Sequence, residues 1–277
     1  VMVGLRGARS GAILHEGGGG PDGLLCWSRL PWDSALTGVE CARIDLLGGE
    51  GCGALLGRWR EAAWLEGVRY ATARIPAAGP FHEAQAAALG AAGFEVLERI
   101  VYLSAPTGRP RGPVHGIEEA GPGDIEEIRS IARRSFSSDR FHNEPLFTRA
   151  AADRVHEEWA RGSFAGRADV VLAARGPEGW PTGYCTVIMP LFDGARAGWV
   201  DMLAVRPGER GRGIGGRLLL SALEWLGERG VPEAALCTQS TNAAALGLYA
   251  SAGFEVYAEA ETWRYAFEPG GRRAEER

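Results

Sequence analysis

A glycine-rich segment between a predicted strand and a predicted amphipathic helix carries the most distinctive chemistry of the sequence. Residues 205–216 read Val-Arg-Pro-Gly-Glu-Arg-Gly-Arg-Gly-Ile-Gly-Gly. Glycines let backbone N–H groups converge on an anion, and the free N–H groups and dipole of a helix N-terminus favour a phosphate. The segment lacks the Gly-Lys-Ser/Thr of a Walker loop and does not fit the dinucleotide-binding fingerprint with its acidic residue about 20 positions further on. It therefore predicts a pyrophosphate site of another kind, to which Arg210 and Arg212 add charge, or in the simpler alternative a helix-start turn.

Two side chains outside this segment can transfer protons. Asp201 lies on the predicted strand before it, with the same parity as Leu203 and Val205, so a carboxylate there could take a proton directly or through water. An ion pair at the end of the strand is the alternative for Asp201. Tyr249 lies on a later predicted helix, where a tyrosine is either a core aromatic or a general acid.

The elements that position these residues follow from hydrophobic periodicity. After residue 113 the pattern first predicts a strand at Val114–Glu119, a helix after Pro122 and a second helix at Thr148–Ala160. Three strands follow, at Val170–Ala174, Tyr184–Met189 and Trp199–Val205. The remaining elements are a helix at Gly213–Arg229, a strand at Ala234–Thr238, a helix at Ala243–Ala252 and a pair of strands within Phe254–Phe267. The strand–helix–strand crossover implies a parallel pair among antiparallel strands. The fold class is therefore α/β (α+β), with a mixed, mostly antiparallel sheet covered by helices.

A stretch rich in Pro, Gly and Arg divides the chain near its middle. Residues 105–113 leave no apolar face to pack and are interpreted as a linker. This predicts an N-terminal domain at residues 1–104, a second domain at residues 114–268 and a disordered tail at residues 269–277.

A short internal repeat indicates that the two halves are related. The sequence Ala-Gly-Phe-Glu-Val occurs at Ala92–Val96 and again at Ala252–Val256, each time after an alanine-rich helix and before a strand. In this register Leu89 corresponds to Tyr249. Because the first half has no counterpart of the glycine-rich segment, we interpret it as a degenerate copy without catalytic activity.

Two motifs of the second half match a known family. Arg210-Gly211-Arg212-Gly213-Ile214-Gly215 resembles the R/Q-x-x-G-x-G/A signature of the GNAT acetyltransferases, and Leu203-Ala204-Val205 is similar to its cofactor strand. Residues Asn242 to Tyr249 resemble its Asn-x-x-A-x-x-x-Y helix. The order of elements from Asp124 to Phe267 also follows the family. The resemblance implies a GNAT fold with a splayed parallel strand pair flanked by helices, preceded here by a degenerate GNAT-like half.

The resemblance implies an acetyl-CoA-dependent N-acetyltransferase that needs no metal. In the family, the strand backbone bonds the pantetheine arm, the glycine loop holds the CoA pyrophosphate, and the tyrosine protonates the departing thiolate. Tyr249 is accordingly the predicted acid and Asp201 the candidate base, while Asn242 either contacts CoA or serves as an ordinary N-cap. The predicted cofactor-binding residues are Leu203, Ala204, Val205, Arg210, Gly211, Arg212, Gly213, Ile214, Gly215, Gly216 and Asn242.

A narrower resemblance concerns the acceptor. Residues 30–34, 138–142 and 238–239 are similar to segments of the dTDP-fucosamine acetyltransferases, which implies a small-molecule amine acceptor such as a dTDP-4-amino-sugar. Arg140, Phe141 and His142 are then the predicted acceptor-binding residues, with a loop that caps its helix as the alternative. A protein N-terminal acetyltransferase and a non-catalytic acyl-CoA-binding module are the competing functions.

Composition excludes several classes of partner. The 277 residues carry a net charge of -5 with a pI near 5.7, which disfavours nucleic acid and anionic membranes as partners. The sequence shows neither a membrane-spanning apolar run nor a secretory leader, so we expect a cytoplasmic protein. A homodimer is one expected assembly.

The five cysteines form no C-x-x-C pair and are interpreted as small buried hydrophobes, with a nucleophilic Cys237 as the alternative.

Overall fold

Eleven β-strands and seven α-helices are formed by the residues that the computed structural model describes, which are 11–17, 21–49, 51–108, 115–190 and 196–268. The first elements are β1 (Gly11–Gly17), β2 (Pro21–Arg29), α1 (Pro31–Thr37), β3 (Cys41–Gly49), α2 (Cys52–Leu65), β4 (Tyr70–Pro76), α3 (His82–Ala91) and β5 (Glu95–Pro106). The later ones are β6 (Ile117–Glu119), α4 (Ile125–Ser135), α5 (Arg149–Gly162), β7 (Val170–Arg175), β8 (Pro181–Ile188), β9 (Ala197–Val205), α6 (Ile214–Glu228), β10 (Glu233–Gln239), α7 (Ala243–Ser251) and β11 (Glu255–Ala266). None of the helices in the described ranges is both long and apolar enough to span a bilayer.

The chain divides into two compact units. The first unit comprises residues 1–99 and 259–277, and the second comprises residues 100–258. The boundaries differ from the predicted ones because two long strands each contribute to both units. β5 starts in the first unit, but its part from Ile100 onward pairs with β10 in the second unit. β11 starts in the second unit, but its part from Ala260 onward pairs with β4 in the first.

Two predictions about connecting segments need correction. Residues 254–267 were predicted to form a pair of strands, but they form the single strand β11, because the segment has no Gly, Pro, Asn or Asp to make a turn. The linker was predicted to begin at Ala105, but Ala105 and Pro106 belong to β5 and pair with β10. The rest of the predicted linker after Gly108 and the predicted tail at residues 269–277 lie outside the described residues.

The sheet of the second unit has the strand order β5-β10-β9-β8-β7-β6. β9 and β10 are parallel and pair only from Ala197 and Glu233 to Trp199 and Ala235, after which each strand continues without the other. All other neighbouring strands in this sheet are antiparallel. The separated ends leave backbone groups of one edge of β9 free for a ligand. This geometry confirms the predicted mixed sheet with a splayed parallel pair.

A β-bulge interrupts β9 at Asp201. Thr186 of β8 pairs with Met202 and Val187 pairs with Val200, so Asp201 is the extra residue. Such a bulge reverses the side-chain alternation beyond it. Val200 therefore faces the core under α6, whereas Met202 faces the core under α4 and α5.

The first unit repeats this architecture. Its strand order is β1-β2-β3-β4-β11, and β3 and β4 are parallel only from Cys41 and Tyr70 to Ile44 and Ala73. A bulge again skips one aspartate, because Cys26 pairs with Leu46 and Trp27 pairs with Ile44, which leaves out Asp45. Asp45 is thus the topological counterpart of Asp201.

The two units differ most in the connection between the strand that contains the bulge and the helix that follows this strand. In the second unit residues 206–213 connect β9 to α6, whereas residues 50–51 alone connect β3 to α2. The first unit therefore lacks the length of chain that could surround a pyrophosphate. Leu89, the counterpart of Tyr249, is fully buried in an apolar cluster around Trp59. These features support the proposal that the first half is a catalytically empty copy.

A bidentate ion pair joins the start of α4 to β7, and we expect its loss to be costly. Arg175 donates to both carboxylate oxygens of Asp124, which also accepts the Gly121 N–H at 2.9 Å. The Arg175 guanidinium lowers the pKa of Asp124 below its ordinary 3.8. Asp124→Asn is expected to lower the free energy of unfolding by about 1–3 kcal/mol at pH 7.

The pH dependence gives this prediction its sign. A carboxyl whose pKa is lowered by folding contributes stability above its unfolded pKa and loses it as the pH falls. The difference between wild type and Asp124→Asn should therefore shrink between pH 5 and pH 3 in urea unfolding. Glu118→Gln is the matched control, because Glu118 is the exposed partner of the same Arg175 and should contribute below about 1 kcal/mol. Equal losses in the two variants would contradict the prediction.

Candidate active site

The glycine-rich loop between β9 and α6 is open and left-handed at two positions. Gly211 and Gly213 have φ values of 78° and 72°, a conformation that side chains disfavour. Gly213 is the N-cap of the 15-residue helix α6. The N–H groups of the first helical turn, at Ile214, Gly215 and Gly216, have no partner within the helix, so they can donate to an anion. The predicted loop residues therefore lie together at the N-terminus of α6, and their role in binding an anion stays a prediction.

Gly215 lets this helix turn pack closely against β9 and α7. A Cβ atom on Gly215 would lie 3.3 Å from Leu248 and 3.8 Å from both Leu203 and Val205. The close approach brings the cofactor strand, the loop and the helix of Tyr249 into one apolar cluster. The sequence motifs at residues 203–216 and 242–249 are thus neighbours in space.

The arginines of the loop have different partners. Arg210 donates from Nε to the Val205 carbonyl at 3.2 Å and from Nη2 to the Ser135 carbonyl at 3.3 Å, so it braces the end of β9. Arg212 is exposed and pairs with Glu209 at 2.7 Å, a surface ion pair that a phosphate can replace. Arg217, which sequence reasoning missed, donates to the Arg212 carbonyl from the first turns of α6. Arg217 follows Gly213 by one helical turn, and this spacing could have predicted that its side chain lies beside the loop.

Tyr249 is buried at the centre of this assembly. Its ring packs against Phe254, with centroids 6.0 Å apart, and its side chain belongs to the cluster under α6. Burial, with Cys185 and Cys237 nearby, raises the pKa of Tyr249 well above the ordinary 10.0. Its hydroxyl therefore stays protonated at neutral pH and can act as a proton donor. Among the described residues it has no hydrogen-bond partner.

Asn242 is the N-cap of α7. Its Oδ1 accepts the Ala245 N–H at 3.2 Å, and its Nδ2 donates to the Thr238 hydroxyl at 3.1 Å. The ordinary N-cap that the sequence left open is therefore present. The cap fixes the start of the helix that carries Tyr249, and a direct contact of Asn242 with CoA stays a prediction.

Asp201 lies at the bulge and is paired with a residue that sequence reasoning missed. Arg167, in the π-helical turn Ser163–Arg167 after α5, donates to the Asp201 carboxylate, and Thr186 also lies beside it. Burial raises the pKa of Asp201, while Arg167 and Thr186 oppose this shift. The ion pair named as an alternative is present, and the raised pKa leaves Asp201 suited to accept a proton.

The predicted parity of Asp201 with the cofactor strand is wrong. Asp201 contacts Arg167 on the side of α5, where Arg167 also lies over the Trp159 ring, whereas Leu203 and Val205 pack under α6. The bulge is the reason, because one extra residue reverses the alternation of side chains along the strand. Asp201 therefore reaches the opposite face of the sheet from the one predicted.

The three predicted acceptor-binding residues lie in the connection between α4 and α5, with different exposure. Phe141 is buried against Phe147 and Trp159. The His142 side chain is only 2% exposed, and both of its ring nitrogens face carboxylates. Arg140 is partly exposed and stacks on the Phe141 ring. Of the three side chains, Arg140 is thus the one placed to meet a ligand, and the role of all three in acceptor binding stays a prediction.

All five cysteines lie within the described residues, and none forms a disulfide. Cys41, Cys52 and Cys185 are buried, as the packing interpretation requires. Burial, with Asp201 nearby, raises the pKa of the Cys185 thiol. Cys185 is thus close enough to Asp201 and to Tyr249 to interact electrostatically with each of them.

Comparison with known proteins agrees with this geometry. Residues 125–254 match the model of the acetyltransferase (GNAT) family. The spore coat polysaccharide biosynthesis protein SpsD of Bacillus subtilis is 32% identical over 54% of this chain and 49% of its own length. A dTDP-fucosamine acetyltransferase of Escherichia coli is 31% identical over 64% of this chain and 74% of its own length. A mycothiol acetyltransferase of a Nocardioides species is 29% identical over 62% of each chain. The chain thus spans about half the length of SpsD.

Solved structures show the same fold. A GCN5-related N-acetyltransferase from Sphaerobacter thermophilus matches 89% of this chain and 78% of its own with a TM-score of 0.63 at 20% identity. A tandem GNAT protein from the clavulanic acid biosynthesis pathway matches 92% of this chain and 82% of its own with a TM-score of 0.60 at 21% identity. The GNAT family uses acetyl-CoA as its acyl donor. With the glycine loop, the splayed strand pair and these matches in agreement, the chain belongs to the GNAT family of acetyltransferases.

Proposed function

We propose that the second unit transfers an acetyl group from acetyl-CoA to the amine of a nucleotide-linked amino sugar. The observation that carries the acyl-transfer chemistry is Tyr249, whose buried hydroxyl has no hydrogen-bond partner within the described part of the chain and whose side chain packs in the apolar cluster of Ile214, Leu203 and Val205. The sugar acceptor is supported by the names of two relatives, which concern polysaccharide biosynthesis and dTDP-fucosamine.

The residues around the loop are suited to hold acetyl-CoA. The N–H groups of Ile214, Gly215 and Gly216 and the charges of Arg212 and Arg217 would bind its pyrophosphate. The backbone from Leu203 to Val205, at the separated end of β9, would bind the pantetheine arm. Because a bound thioester and a bound amine react as if in one molecule, holding both substrates supplies much of the rate enhancement.

Two groups would move protons in this reaction. The acceptor amine attacks the thioester carbonyl and loses a proton, and the proposed base is Asp201, the carboxylate at the bulge of β9 whose pKa is raised. The departing thiolate takes the proton of the Tyr249 hydroxyl. The charge that develops on sulfur is thereby neutralised without a metal.

Asp201→Asn tests the base. The variant keeps the shape of the side chain and its hydrogen bond to Thr186 but cannot accept a proton, so kcat/KM is expected to fall by about 100-fold or more. A base works in its ionised form, so wild-type kcat/KM should rise with pH through a pKa above the ordinary 3.8. That acidic limb should vanish in the variant, which a pH profile of thiol release would show.

The chain provides a matched control for this experiment. Asp45 is the bulge residue of the first unit, and its carboxylate accepts a hydrogen bond from the Ser28 hydroxyl. Thr186 has the corresponding position beside Asp201 in the second unit. Asp45→Asn should keep the pH profile and kcat of the wild type. A pH profile that is identical in wild type and Asp201→Asn would show that Asp201 is only the partner of Arg167.

The acceptor class is tested by a screen that reads thiol release from acetyl-CoA. The arms are dTDP-amino-sugars, free amino sugars, polyamines and peptides with a free N-terminus. A turnover at least tenfold higher with dTDP-amino-sugars is the expected result. Preference for peptides would support the N-terminal acetyltransferase, and acetyl-CoA binding without thiol release would support the non-catalytic module. Because one relative is named a mycothiol acetyltransferase, the acceptor of that enzyme is a further arm of the screen.

A further inference from the structure

Two histidines and two aspartates form a largely buried polar cluster that takes no part in the proposed proton transfers. Asp139 and His142 come from the connection after α4, and Asp153 and His156 lie three positions apart on α5. The side chains of His142 and His156 are 2% and 3% exposed. The two carboxylates are less buried, so one side of the cluster reaches toward solvent.

One carboxylate oxygen of this cluster faces both imidazoles. Oδ2 of Asp139 lies 2.8 Å from Nδ1 of His142 and 3.1 Å from Nε2 of His156. The three atoms all lie within 4.8 Å of one another. Ligand atoms at about 2.1 Å from a metal are about 3.0 Å apart at an octahedral right angle and about 3.4 Å apart at a tetrahedral one. The two oxygen–nitrogen distances of 2.8 and 3.1 Å are thus close to those that an octahedral ion requires.

The outer nitrogens of both rings are also held in the way that metal ligands are. Nε2 of His142 lies 3.0 Å from Oδ1 of Asp153, and Nδ1 of His156 lies 3.2 Å from the Ala152 carbonyl. A histidine that binds a metal through one nitrogen commonly donates its other N–H to a carboxylate or backbone carbonyl, which fixes its tautomer. Oδ1 of Asp139 is likewise held by backbone N–H groups, at 2.8 Å from that of Phe141.

The ring nitrogens distinguish the cluster from an ordinary histidine hydrogen bond. A neutral imidazole has one N–H and one acceptor nitrogen, but all four ring nitrogens of His142 and His156 face oxygen atoms. The two rings are stacked with centroids 5.5 Å apart. A divalent ion bound to Oδ2 of Asp139 would take a lone pair from the inner nitrogen of each ring and leave each ring its outer N–H.

We propose that Asp139, His142 and His156 bind a divalent transition-metal ion, with Asp153 and Ala152 orienting the two imidazoles. Two imidazole nitrogens and one carboxylate oxygen suit Zn²⁺, with a solvent molecule completing the coordination. The ion ties the connection after α4 to α5. The ion would be structural, so its binding can be measured without acetyl-CoA and without an acceptor.

Metal titration of the full chain, purified without a polyhistidine tag and stripped with a chelator, tests the proposal. Calorimetry should give one Zn²⁺ per chain. At about 100-fold Kd of free Zn²⁺ the melting temperature should rise by about 5–10 °C. Co²⁺ should give visible absorption bands without the near-ultraviolet band of a thiolate ligand.

Variants assign the site. Asp139→Asn should abolish stoichiometric binding, and Asp153→Asn should weaken it by about 10- to 100-fold, because Asp153 only orients a ligand. His115→Ala is the control, since His115 is exposed and lies outside the cluster, and it should bind as the wild type does. If Asp139→Asn fails to fold, the Co²⁺ spectrum of the wild type decides alone.

Three outcomes would overturn the site. The first is the absence of stoichiometric binding and thermal stabilisation with Zn²⁺, Co²⁺ and Mn²⁺, which would leave the cluster a set of hydrogen-bonded side chains without an ion. The second is a thiolate-to-cobalt band, which would assign the metal to cysteines. The third is undiminished binding by a folded Asp139→Asn variant. All three readouts are binding measurements, so a failure of the proposed acetyl transfer would not affect them.

Discussion

Replacement of Tyr249 by Phe is expected to leave acetyl-CoA affinity intact and to lower kcat by about 100- to 10,000-fold, the usual contribution of a positioned acid. The ring would still pack against Phe254 in the cluster under α6, because only the hydroxyl is removed. Binding is measured by calorimetry and turnover by thiol release under conditions where chemistry limits the rate.

The leaving group provides a second measurement of the same role. A thioester whose thiol has a lower pKa gives a more stable thiolate, which needs less protonation. Such a substrate should recover part of the rate lost in Tyr249→Phe and gain less in the wild type. Wild-type turnover by Tyr249→Phe would exclude the hydroxyl as the acid and would direct attention to a water that delivers the proton.

Leu89 is the internal control for this substitution. It occupies the matching position of the first unit and is fully buried among apolar side chains. Leu89→Ala should lower the free energy of unfolding by about 2–5 kcal/mol and leave kcat unchanged in the protein that stays folded. The pair of variants thus distinguishes a catalytic tyrosine from a position that only packs.

Replacement of Gly213 by Val is the second change with a large expected effect, in this case on acetyl-CoA binding. Gly213 has a φ of 72° at the N-cap of α6, beside the N–H groups that would hold the pyrophosphate. A branched side chain there strains the backbone and covers these donors. Loss of two charge-assisted hydrogen bonds at about 1.5 kcal/mol each corresponds to about a 100-fold weaker Kd.

Gly230 separates the loss of the site from the strain. It has a φ of 73° just beyond the other end of the same helix, and a Cβ there would meet no atom within 4 Å. Gly230→Val should therefore lower stability as Gly213→Val does and keep acetyl-CoA affinity. Equal weakening by both variants would mean that strain, and not the covered donors, accounts for the effect.

The same calorimetry counts the acetyl-CoA sites. One site per chain is expected, because the connection between β3 and α2 is only residues 50–51. Gly57→Val, in α2 of the first unit and with nothing within 4 Å of its Cβ, should not change the affinity. Two sites per chain would contradict the proposal of an empty first half.

The sequence by itself determined the features that depend on local pattern. The loop at residues 205–216, the N-cap and tyrosine of α7, and most helices and strands of the second half follow from glycine positions, capping residues and hydrophobic periodicity. These signals lie within a few residues of one another, so folding does not rearrange them. The repeat around Gly93 and Gly253 indicated the shared architecture for the same reason.

Only the tertiary structure decided the features that depend on pairing between distant residues. The register of β8 against β9 creates the bulge at Asp201 and turns that carboxylate toward Arg167, 34 positions earlier in the chain. The same dependence on distant partners explains why β5 and β11 each contribute to both units, since strand edges bond whichever neighbour completes their hydrogen bonds. It also explains why His142 meets His156. Backbone pairing and burial are satisfied across the whole chain, and no local pattern encodes the partner.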